Sequence, residues 1–348
     1  FGSPAAATLL PQLKTDAHFT QLIRAPAFVE AVNGTLSDGA PRSVQFTAHQ
    51  GSERFFEVRT VMLPPDVGFG PEPQVVVQID DRTQARKTEE LRSDFIANAS
   101  HELRTPLASI IGYIETLQHH AKDDPEAREQ FLSIMARESG RMQRLVDDLM
   151  SLSRIELNEH VRPVDACSLN EIAAECASAL VPIARQQGVD LQIDLAGSGG
   201  KVTGDRDQLY QVFTNLIDNA IKYAGQGSRV RVFEPAPSRA NPNRVGVCVS
   251  DTGPGIPREH VHRLTERFYR VNVTSSRNKG GTGLGLAIVK HILNRHRGRL
   301  EITSRVGEGS GFTVWLPQEA VAGDADEPRP EPGVPVPAPE AVPRSAAR

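Results

Sequence analysis

The sequence Asn-Leu-Ile-Asp-Asn-Ala-Ile-Lys-Tyr occupies residues 215–223 and predicts a helix with two different faces. At about 100° per residue, Asn215, Asn219 and Lys222 fall within about 60° of one another. The apolar stripe of the same helix lies elsewhere and consists of Leu209, Phe213, Leu216 and Ala220. The polar face offers amide oxygens and an ammonium group, which suit Mg²⁺ and phosphate. A solvated face would explain the charge but not the paired asparagines, which are poor helix formers.

Helices and strands alternate around this helix, from about residue 161 to residue 317. Ser168 and Glu171 form a capping box that opens one apolar-periodic helix, and Asp205 is expected to cap another. Strand patterns occupy residues 189–195, 229–233, 245–251, 299–305 and 311–316, and a further helical pattern occupies residues 285–297. We therefore predict an α/β sandwich with helices over one face of a mixed sheet.

Two glycine-rich turns lie in this region. The first is Asp-Thr-Gly-Pro-Gly-Ile at 251–256, where the glycines permit close approach to a flat ligand and Asp251 can accept from an exocyclic amine. The second is Gly-Gly-Thr-Gly-Leu-Gly-Leu at 280–286, at the start of a helix, where backbone N–H groups favour phosphate. It is not a P-loop, which needs G-K-[ST], and it is not the dinucleotide fingerprint G-x-G-x-x-G, because Leu286 stands where the last glycine would be. Each turn alone could simply be a loop.

The segment between the two turns, residues 266–279, is polar and rich in arginine and lysine. It predicts a mobile lid whose Arg270, Arg277 and Lys279 are available to phosphates. Taken singly, each of these basic residues is more often a solvated charge.

Residues 82–158 predict two long helices separated by Asp-Asp-Pro at 123–125. The second helix carries a heptad-like seam of Phe131, Met135, Glu138, Met142, Leu145, Leu149 and Leu152. An isolated antiparallel hairpin of this length has too little core, so we predict a homodimer in which two hairpins form a four-helix bundle.

The first of these helices contains Ser-His-Glu-Leu-Arg-Thr-Pro-Leu at 100–107. A zinc site is excluded, because the second histidine of an H-E-x-x-H motif is replaced by Thr105. A neutral His101 imidazole can attack a phosphoryl group, and Glu102 can accept the proton from its other ring nitrogen. Thr105 lies one turn further on and could position a water. A plain surface histidine is the alternative interpretation.

Composition narrows the function further. Hydrophobic residues make up 39% of the 348 residues and charged residues 24%, a mixture that can bury a core. A net charge of -4 and 5% aromatic residues argue against a nucleic-acid binder. The three cysteines include no C-x-x-C pair, so neither a disulfide framework nor a cysteine zinc site is predicted.

Together and in this order, the motifs resemble those of a sensor histidine kinase of a two-component system. Residues 100–107 are similar to the family's phosphoacceptor box. Residues 215–223, 251–256, 266–271 and 280–286 are similar to its N, G1, F and G2 boxes. The resemblance covers about residues 74 to 317, and residues 92–100 with 112–117 look most like phosphate-regulon sensor kinases. It implies an ATP-binding domain of the GHKL (Bergerat) type within an α+β multidomain protein.

The resemblance implies catalytic roles at three matching positions. His101 would be autophosphorylated, Glu102 would accept its proton, and Thr105 would help to dephosphorylate the partner. That partner would be the receiver domain of a response regulator, which accepts the phosphoryl group on an aspartate.

The implied cofactors are ATP and Mg²⁺. Asn219 would bind Mg²⁺ between phosphates, with Asn215 and Lys222 nearby, and Asp251 would recognise the adenine amine. Gly253 and Gly255 would shape the adenine pocket, and Tyr223 and Ile256 would line the nucleotide site. The implied residues around the phosphates are Arg270, Lys279, Gly281, Gly283, Leu284 and Gly285.

The resemblance also divides the chain. Residues 1–83 look like a truncated PAS-like sensor domain, with Asp81-Arg82-Thr83 similar to the D-x-T exit of such domains. Residues 84–160 would be the dimerisation and histidine phosphotransfer hairpin, residues 161–317 the catalytic domain, and residues 318–348 a disordered Pro-rich tail. Arg297 stands where many relatives carry glycine, and Asn272 where relatives often carry aspartate. The expected location is the cytoplasmic side of a bacterial inner membrane, with a membrane tether upstream of Phe1.

Two alternatives remain at this point. One is an ATP-gated clamp resembling gyrase, Hsp90 or MutL proteins, which share the nucleotide boxes but lack the preceding hairpin. The other is a sensor scaffold that binds nucleotide without kinase activity. ATP turnover without a phosphoprotein would favour the first, and nucleotide titration would test the second.

Overall fold

The computed structural model describes residues 2–9, 20, 23–50, 52–64, 66–67, 72–195, 200–236, 243–272 and 280–318. The chain divides into two compact units, Phe1–Phe131 and Leu132–Arg348. Among the helices within these ranges, none combines the length and apolar composition needed to cross a membrane.

The first unit contains a three-stranded antiparallel sheet in the order β1-β2-β3. Its elements are α1 (Pro4–Leu9), α2 (Pro26–Asp38), β1 (Arg42–Gln50), β2 (Ser52–Met62), β3 (Val75–Asp81) and α3 (Thr83–Gln118). The core joins Phe28 and Val32 of α2 to Val58 of β2. The hydroxyl groups of Thr35 and Thr60 lie 2.8 Å apart and satisfy each other inside this core.

The junction between β3 and α3 is fixed by side-chain hydrogen bonds. Asp81 Oδ1 accepts from the backbone N–H of Thr83 at 2.9 Å, and Arg54 Nη2 donates to Asp81 Oδ2 at 2.5 Å. Thr83 Oγ1 accepts from the backbone N–H of Phe55 at 2.9 Å. Hydrogen bonds from Thr83 and the Arg54 guanidinium lower the pKa of Asp81 to about 2. The sheet is therefore tied directly to the first turn of α3.

Both predicted long helices are present. Helix α3 runs through Pro106 without ending, and α4 (Pro125–Leu157) follows it. Asp124 accepts from the backbone N–H groups of Glu126 and Ala127 at 3.0 Å and so caps the start of α4.

The second unit continues from α4 into a five-stranded sheet with the order β5-β7-β8-β10-β9. Its further elements are β4 (Ala166–Ser168), α5 (Leu169–Gln186), β5 (Asp190–Asp194), β6 (Lys201–Thr203), α6 (Arg206–Ala224), β7 (Arg229–Phe233), β8 (Arg244–Asp251), α7 (Arg258–Val261), α8 (Gly285–Arg295), β9 (Arg299–Arg305) and β10 (Gly309–Pro317). Strands β5 and β7 are parallel and the other neighbours are antiparallel, so the prediction of a mixed sheet is confirmed.

Apolar faces of the helices cover this sheet. In β7, Val230 and Val232 are fully buried while the alternate residues Arg229 and Arg231 are exposed. Helix α6 buries Phe213 and Leu216, as its predicted stripe requires. The predicted caps are confirmed: Ser168 Oγ accepts from Glu171 N at 3.3 Å, and Asp205 Oδ1 accepts from Gln208 N at 3.2 Å.

Arg297 has a left-handed backbone with a φ of 52°, a conformation that penalises a Cβ by about 1 kcal/mol or more. Its side chain is exposed. We expect Arg297→Gly to raise the free energy of unfolding of the second unit by about 0.5–1 kcal/mol. The reason is that the backbone strain relieved in the folded state outweighs the conformational entropy that glycine adds to the unfolded chain. Denaturant unfolding followed by the fluorescence of Trp315, the single tryptophan, measures this directly. Arg297→Ala is the matched control and should not raise the free energy of unfolding. A glycine variant less stable than the unmodified chain would contradict the view that the backbone at Arg297 is strained.

His296 is buried and joins α8 to the start of α6. Its Nε2 accepts from the backbone N–H of Asp205 at 2.9 Å, and its Nδ1 lies 2.7 Å from the carbonyl oxygen of Ile292, to which it donates. Burial lowers the pKa of the imidazole. The folded chain therefore holds this histidine neutral at a pH where the unfolded chain already protonates it.

We therefore expect the free energy of unfolding to fall as the pH drops below the unfolded histidine pKa of about 6.5, and to keep falling towards the lower folded pKa. Denaturant unfolding followed by Trp315 fluorescence at pH 7.5 and pH 5.5 measures the difference in the free energy of unfolding. His296→Asn should be less stable at pH 7.5 and should show a smaller loss on acidification. The exposed His120→Gln should leave the pH dependence unchanged. Equal pH dependence in the His296 variant and the unmodified chain would exclude this origin.

Candidate active site

A cavity of about 500 Å³ opens in the second unit between α6, the end of β8 and the glycine loop before α8. Helix α6 places Asn215, Asn219, Lys222 and Tyr223 along one wall. Within the part of the chain that the structure describes, the buried Nδ2 of Asn215 has no hydrogen-bond partner. Such an atom is costly unless a ligand acceptor, such as a phosphate oxygen, pairs with it. Lys222 forms an ion pair with Asp218 on the same helix.

The first glycine turn forms another wall, to which Asp251, Gly255 and Ile256 contribute. Asp251 Oδ1 accepts from the backbone N–H of Gly253 at 2.8 Å, so Gly253 orients the carboxylate although it does not line the cavity. Gly255 has a φ of 68°, and a Cβ there would lie 2.0 Å from the carbonyl oxygen of Arg305. Burial raises the pKa of Asp251, and backbone hydrogen bonds from Gly253 and Ser310 oppose this shift.

The second glycine turn places Gly281, Gly283 and Gly285 at the cavity, whereas Leu284 is fully buried and anchors the loop. Gly283 has a φ of 76°, and a Cβ there would lie 2.9 Å from Cα of Phe268. Arg270 also lines the cavity, and its Nη2 donates to the carbonyl oxygen of Gly281 at 2.9 Å.

The described residues include only part of the predicted lid. Arg277 and Lys279 lie outside the described residues. Residues 266–272 are described, and Tyr269 among them lines the cavity. His260 Nδ1 lies 2.6 Å from the Tyr269 hydroxyl, and the Arg263 guanidinium lies 4.3 Å from the centre of the Tyr269 ring.

Three further lining residues come from α4 and were not predicted from the sequence: Arg144, Asp147 and Asp148. Asp148 Oδ2 accepts from Thr282 Oγ1 at 2.6 Å, and Thr282 Oγ1 accepts from the backbone N–H of Leu284 at 3.3 Å. Burial raises the pKa of Asp148, while the hydrogen bond from Thr282 opposes the shift. The periodicity of α4 predicts a packing seam. It does not predict a contact between Asp148 and Thr282, which are far apart in sequence.

The histidine block lies on α3 in the first unit. His101 and Thr105 are exposed, and Glu102 is half-buried. Thr105 Oγ1 donates to the carbonyl oxygen of His101 at 3.2 Å, one turn back along the helix. The imidazole of His101 is therefore accessible to a reaction partner.

Comparison with known families matches both regions. The "His Kinase A (phospho-acceptor) domain" matches residues 91–158, and the "Histidine kinase-, DNA gyrase B-, and HSP90-like ATPase" matches residues 204–320. The chain belongs to the sensor histidine kinases. The predicted family and fold class, with a helix hairpin followed by a GHKL-type ATP-binding domain, are confirmed.

Two curated relatives give the closeness of the match. The phosphate regulon sensor protein PhoR of Pseudomonas aeruginosa is 38% identical over 244 residues, which are 70% of this chain and 54% of PhoR. The sensor-like histidine kinase SenX3 of Mycolicibacterium smegmatis is 37% identical over 243 residues, which are 70% of this chain and 62% of SenX3. The chain therefore spans a little more than half the length of these relatives.

Solved structures support the fold. The histidine kinase ThkA, in complex with the response regulator protein TrrA, superposes with a TM-score of 0.51 at 23% sequence identity and covers 91% of each chain. At this identity the similarity concerns the fold alone.

Proposed function

We propose that the chain binds ATP with Mg²⁺ in the cavity, phosphorylates its own His101 and passes the phosphoryl group to an aspartate of a response regulator. The observation that carries the proposal is the convergence of three distant segments on one cavity. These segments are the amide face of α6, the Asp251 turn and the glycine loop before α8. Each offers a different part of ATP a partner of the right chemistry.

The binding roles follow from the donor types. The Asp251 carboxylate would accept from the adenine amine, with Gly255, Ile256 and Tyr223 around the base. The loop N–H groups at Gly281, Gly283 and Gly285 would donate to phosphate oxygens, and Arg270 and Lys222 would neutralise their charge. The proposal also includes Lys279, which lies outside the described residues.

Mg²⁺ fits the same wall of the cavity. The amide oxygen of Asn219 would be its protein ligand, and the unpartnered amide of Asn215 would donate to a phosphate oxygen next to it. The ion would supply charge neutralisation on the phosphates when bound.

The chemical step would be the transfer of the γ-phosphoryl group of ATP to His101. A ring nitrogen lone pair of His101 would attack the γ-phosphorus, forming an N–P bond as the bond to the β,γ-bridging oxygen breaks and ADP leaves. Glu102 would accept the proton from the other ring nitrogen. The same energetic N–P bond would then break when the receiver aspartate attacks. In a separate reaction, Thr105 would position a water that hydrolyses the phosphorylated aspartate of the regulator.

The partner proposals rest on separate observations. ThkA is in complex with a response regulator, and PhoR is a phosphate regulon sensor, so we propose a receiver-domain partner and phosphate-regulon-like signalling. Exposed apolar residues at heptad-related positions support a homodimer through α3 and α4: Ile96, Leu107, Ile111 and Ile114, and Leu132, Val146, Met150 and Leu157. No nucleic-acid partner is proposed.

The domain boundaries form part of the same proposal. Residues 1–83 would be a sensor of the PAS type, supported by the sheet of the first unit and by the Asp81–Thr83 junction. Residues 84–160 would be the phosphotransfer hairpin and residues 161–317 the catalytic domain. The predicted tail falls almost wholly on residues 319–348, outside the described ranges. ATP as substrate favours a cytoplasmic location, and membrane association stays a prediction.

Incubation with γ-labelled ATP and Mg²⁺ tests the proposal. We expect label on the protein that is lost in acid and stable in alkali, and that moves to an added receiver domain. ATP hydrolysis without a labelled protein would instead support an ATP-gated clamp, and nucleotide binding without either would indicate a scaffold.

A further inference from the structure

The first glycine turn, residues 251–256, is held in place by the hairpin that joins β9 to β10. The backbone N–H of Gly307 in this hairpin donates to the carbonyl oxygen of Pro254 at 2.9 Å. Gly255 packs so closely against the hairpin that a Cβ at this position would lie 2.0 Å from the carbonyl oxygen of Arg305. The conformation of the turn therefore depends on the hairpin as well as on its own glycines.

Ser304 of β9 lies at the centre of this contact. Its Oγ accepts from the backbone N–H of Ile256 at 2.8 Å and donates to the carbonyl oxygen of Gly309 at 3.0 Å. The same Oγ lies 2.9 Å from Oγ of Ser310, its cross-strand partner on β10. Because a serine hydroxyl has one proton and two lone pairs, Ser304 accepts from Ser310 when its own proton is donated to Gly309. The hydrogen-bonding capacity of the Ser304 hydroxyl is then fully used.

These bonds connect Ser304 to both ends of the first glycine turn. At one end, Ser310 on β10 pairs with Asp251 on β8, and the backbone N–H of Ser310 donates to the Asp251 carboxylate. At the other end, Ile256 provides the N–H that Ser304 accepts. Ser310, Asp251 and Ile256 line the cavity, whereas Ser304 lies behind them and does not line it. Ser304 can therefore orient residues that would surround the base without contacting the nucleotide itself.

We propose that Ser304 is a positioning residue for adenine recognition, which holds Asp251 and Ile256 in the arrangement that binds the base. The inference rests on the proposed function, because it requires the cavity to be the ATP site. A turn that is already held in its binding conformation loses less conformational freedom when the ligand binds, so the affinity is higher. The glycine loop that would bind the phosphates makes no hydrogen bond to Ser304 among the described residues, so the effect should be confined to the base.

The test compares variants of the full chain that differ in one hydroxyl group. Ser304→Ala removes the hydroxyl, and Ser304→Thr retains it. The matched control is Thr303→Val, which removes a hydroxyl from the other face of β9, where Thr303 Oγ1 donates to the carbonyl oxygen of Gly311 at 3.4 Å. Each protein is titrated with adenosine and with the magnesium complexes of ATP and inosine triphosphate. The unfolding midpoint from Trp315 fluorescence checks that each variant is folded.

We expect Ser304→Ala to weaken the binding of both Mg·ATP and adenosine about tenfold, because both carry the base and the Ile256 N–H loses its acceptor. Inosine triphosphate should lose much less affinity, because its base has no exocyclic amine to donate to Asp251, so the preference for ATP narrows. Ser304→Thr and Thr303→Val should keep the affinities for ATP and adenosine within about twofold of the unmodified chain.

Unchanged affinities for ATP and adenosine in Ser304→Ala would overturn the positioning role and leave the ATP site in place. An equal loss for ATP and inosine triphosphate would also overturn it, because that pattern indicates a general loosening of the cavity. If the alanine variant does not fold, hydrogen exchange in the unmodified chain provides the test. The Ile256 amide should be protected before nucleotide is added, and unprotected exchange would overturn the role. Failure of the unmodified chain to bind ATP would instead overturn the proposed function, and the role of Ser304 with it.

Discussion

Replacement of Asp251 by asparagine should weaken ATP binding about 100-fold and reduce phosphorylation of the chain to background. The carboxylate only accepts hydrogen bonds, and it is held towards the cavity by the N–H of Gly253 at 2.8 Å. An amide at this position presents a donor where the adenine amine also donates. Titration with Mg·ATP measures the affinity of the variant and of the unmodified chain.

Nucleotide choice makes the Asp251 experiment specific. The unmodified chain should bind ATP better than inosine triphosphate, which has an oxygen in place of the exocyclic amine, and Asp251→Asn should narrow or reverse that preference. Asp190→Asn, at an exposed position of β5, is the control and should keep the preference for ATP. An Asp251 variant that folds, as judged by Trp315 fluorescence, and retains ATP affinity would remove Asp251 from base recognition.

The second large effect concerns His101. We expect His101→Gln to lose all acid-labile phosphorylation while ATP affinity stays within about twofold of the unmodified chain, because glutamine has no imidazole lone pair and the ATP cavity lies in other segments. His120→Gln replaces another exposed histidine near the end of α3 and should retain full labelling. Acid-labile label that persists in the His101 variant would assign the phosphoacceptor to a different histidine.

Much of the second unit was predictable from the sequence, because the local residue patterns there agree with the observed burial. The strands at 229–233 and 299–305 have the predicted bounds, since alternation is clear and polar or turn residues flank each one. Ser168 and Asp205 cap their helices as predicted because capping depends on neighbouring residues alone. The two glycine turns and the amide face of α6, which are separate motifs in the sequence, line the same cavity.

The remaining features depend on contacts that local sequence does not encode. Helix α2 was not predicted, because Ala25 provides no side-chain cap and Gly34 interrupts the helical pattern; packing of Phe28 and Val32 on β2 stabilises it instead. The short strands β4 and β6 pair with each other although they lie more than 30 residues apart in sequence. The hydrogen bond between Asp148 and Thr282 joins α4 to a loop far along the chain, so the contribution of α4 to the cavity was visible only in three dimensions.

ATP bound in the cavity is expected to phosphorylate His101. Peptide mapping by mass spectrometry under alkaline conditions tests this, after incubation of the unmodified chain with Mg·ATP and, in parallel, of Asp251→Asn. We expect phosphate on the imidazole in the peptide that contains residues 100–107, and none in the Asp251 variant. Phosphate confined to serine, threonine or another histidine, or equal phosphorylation of His101 in both proteins, would contradict it.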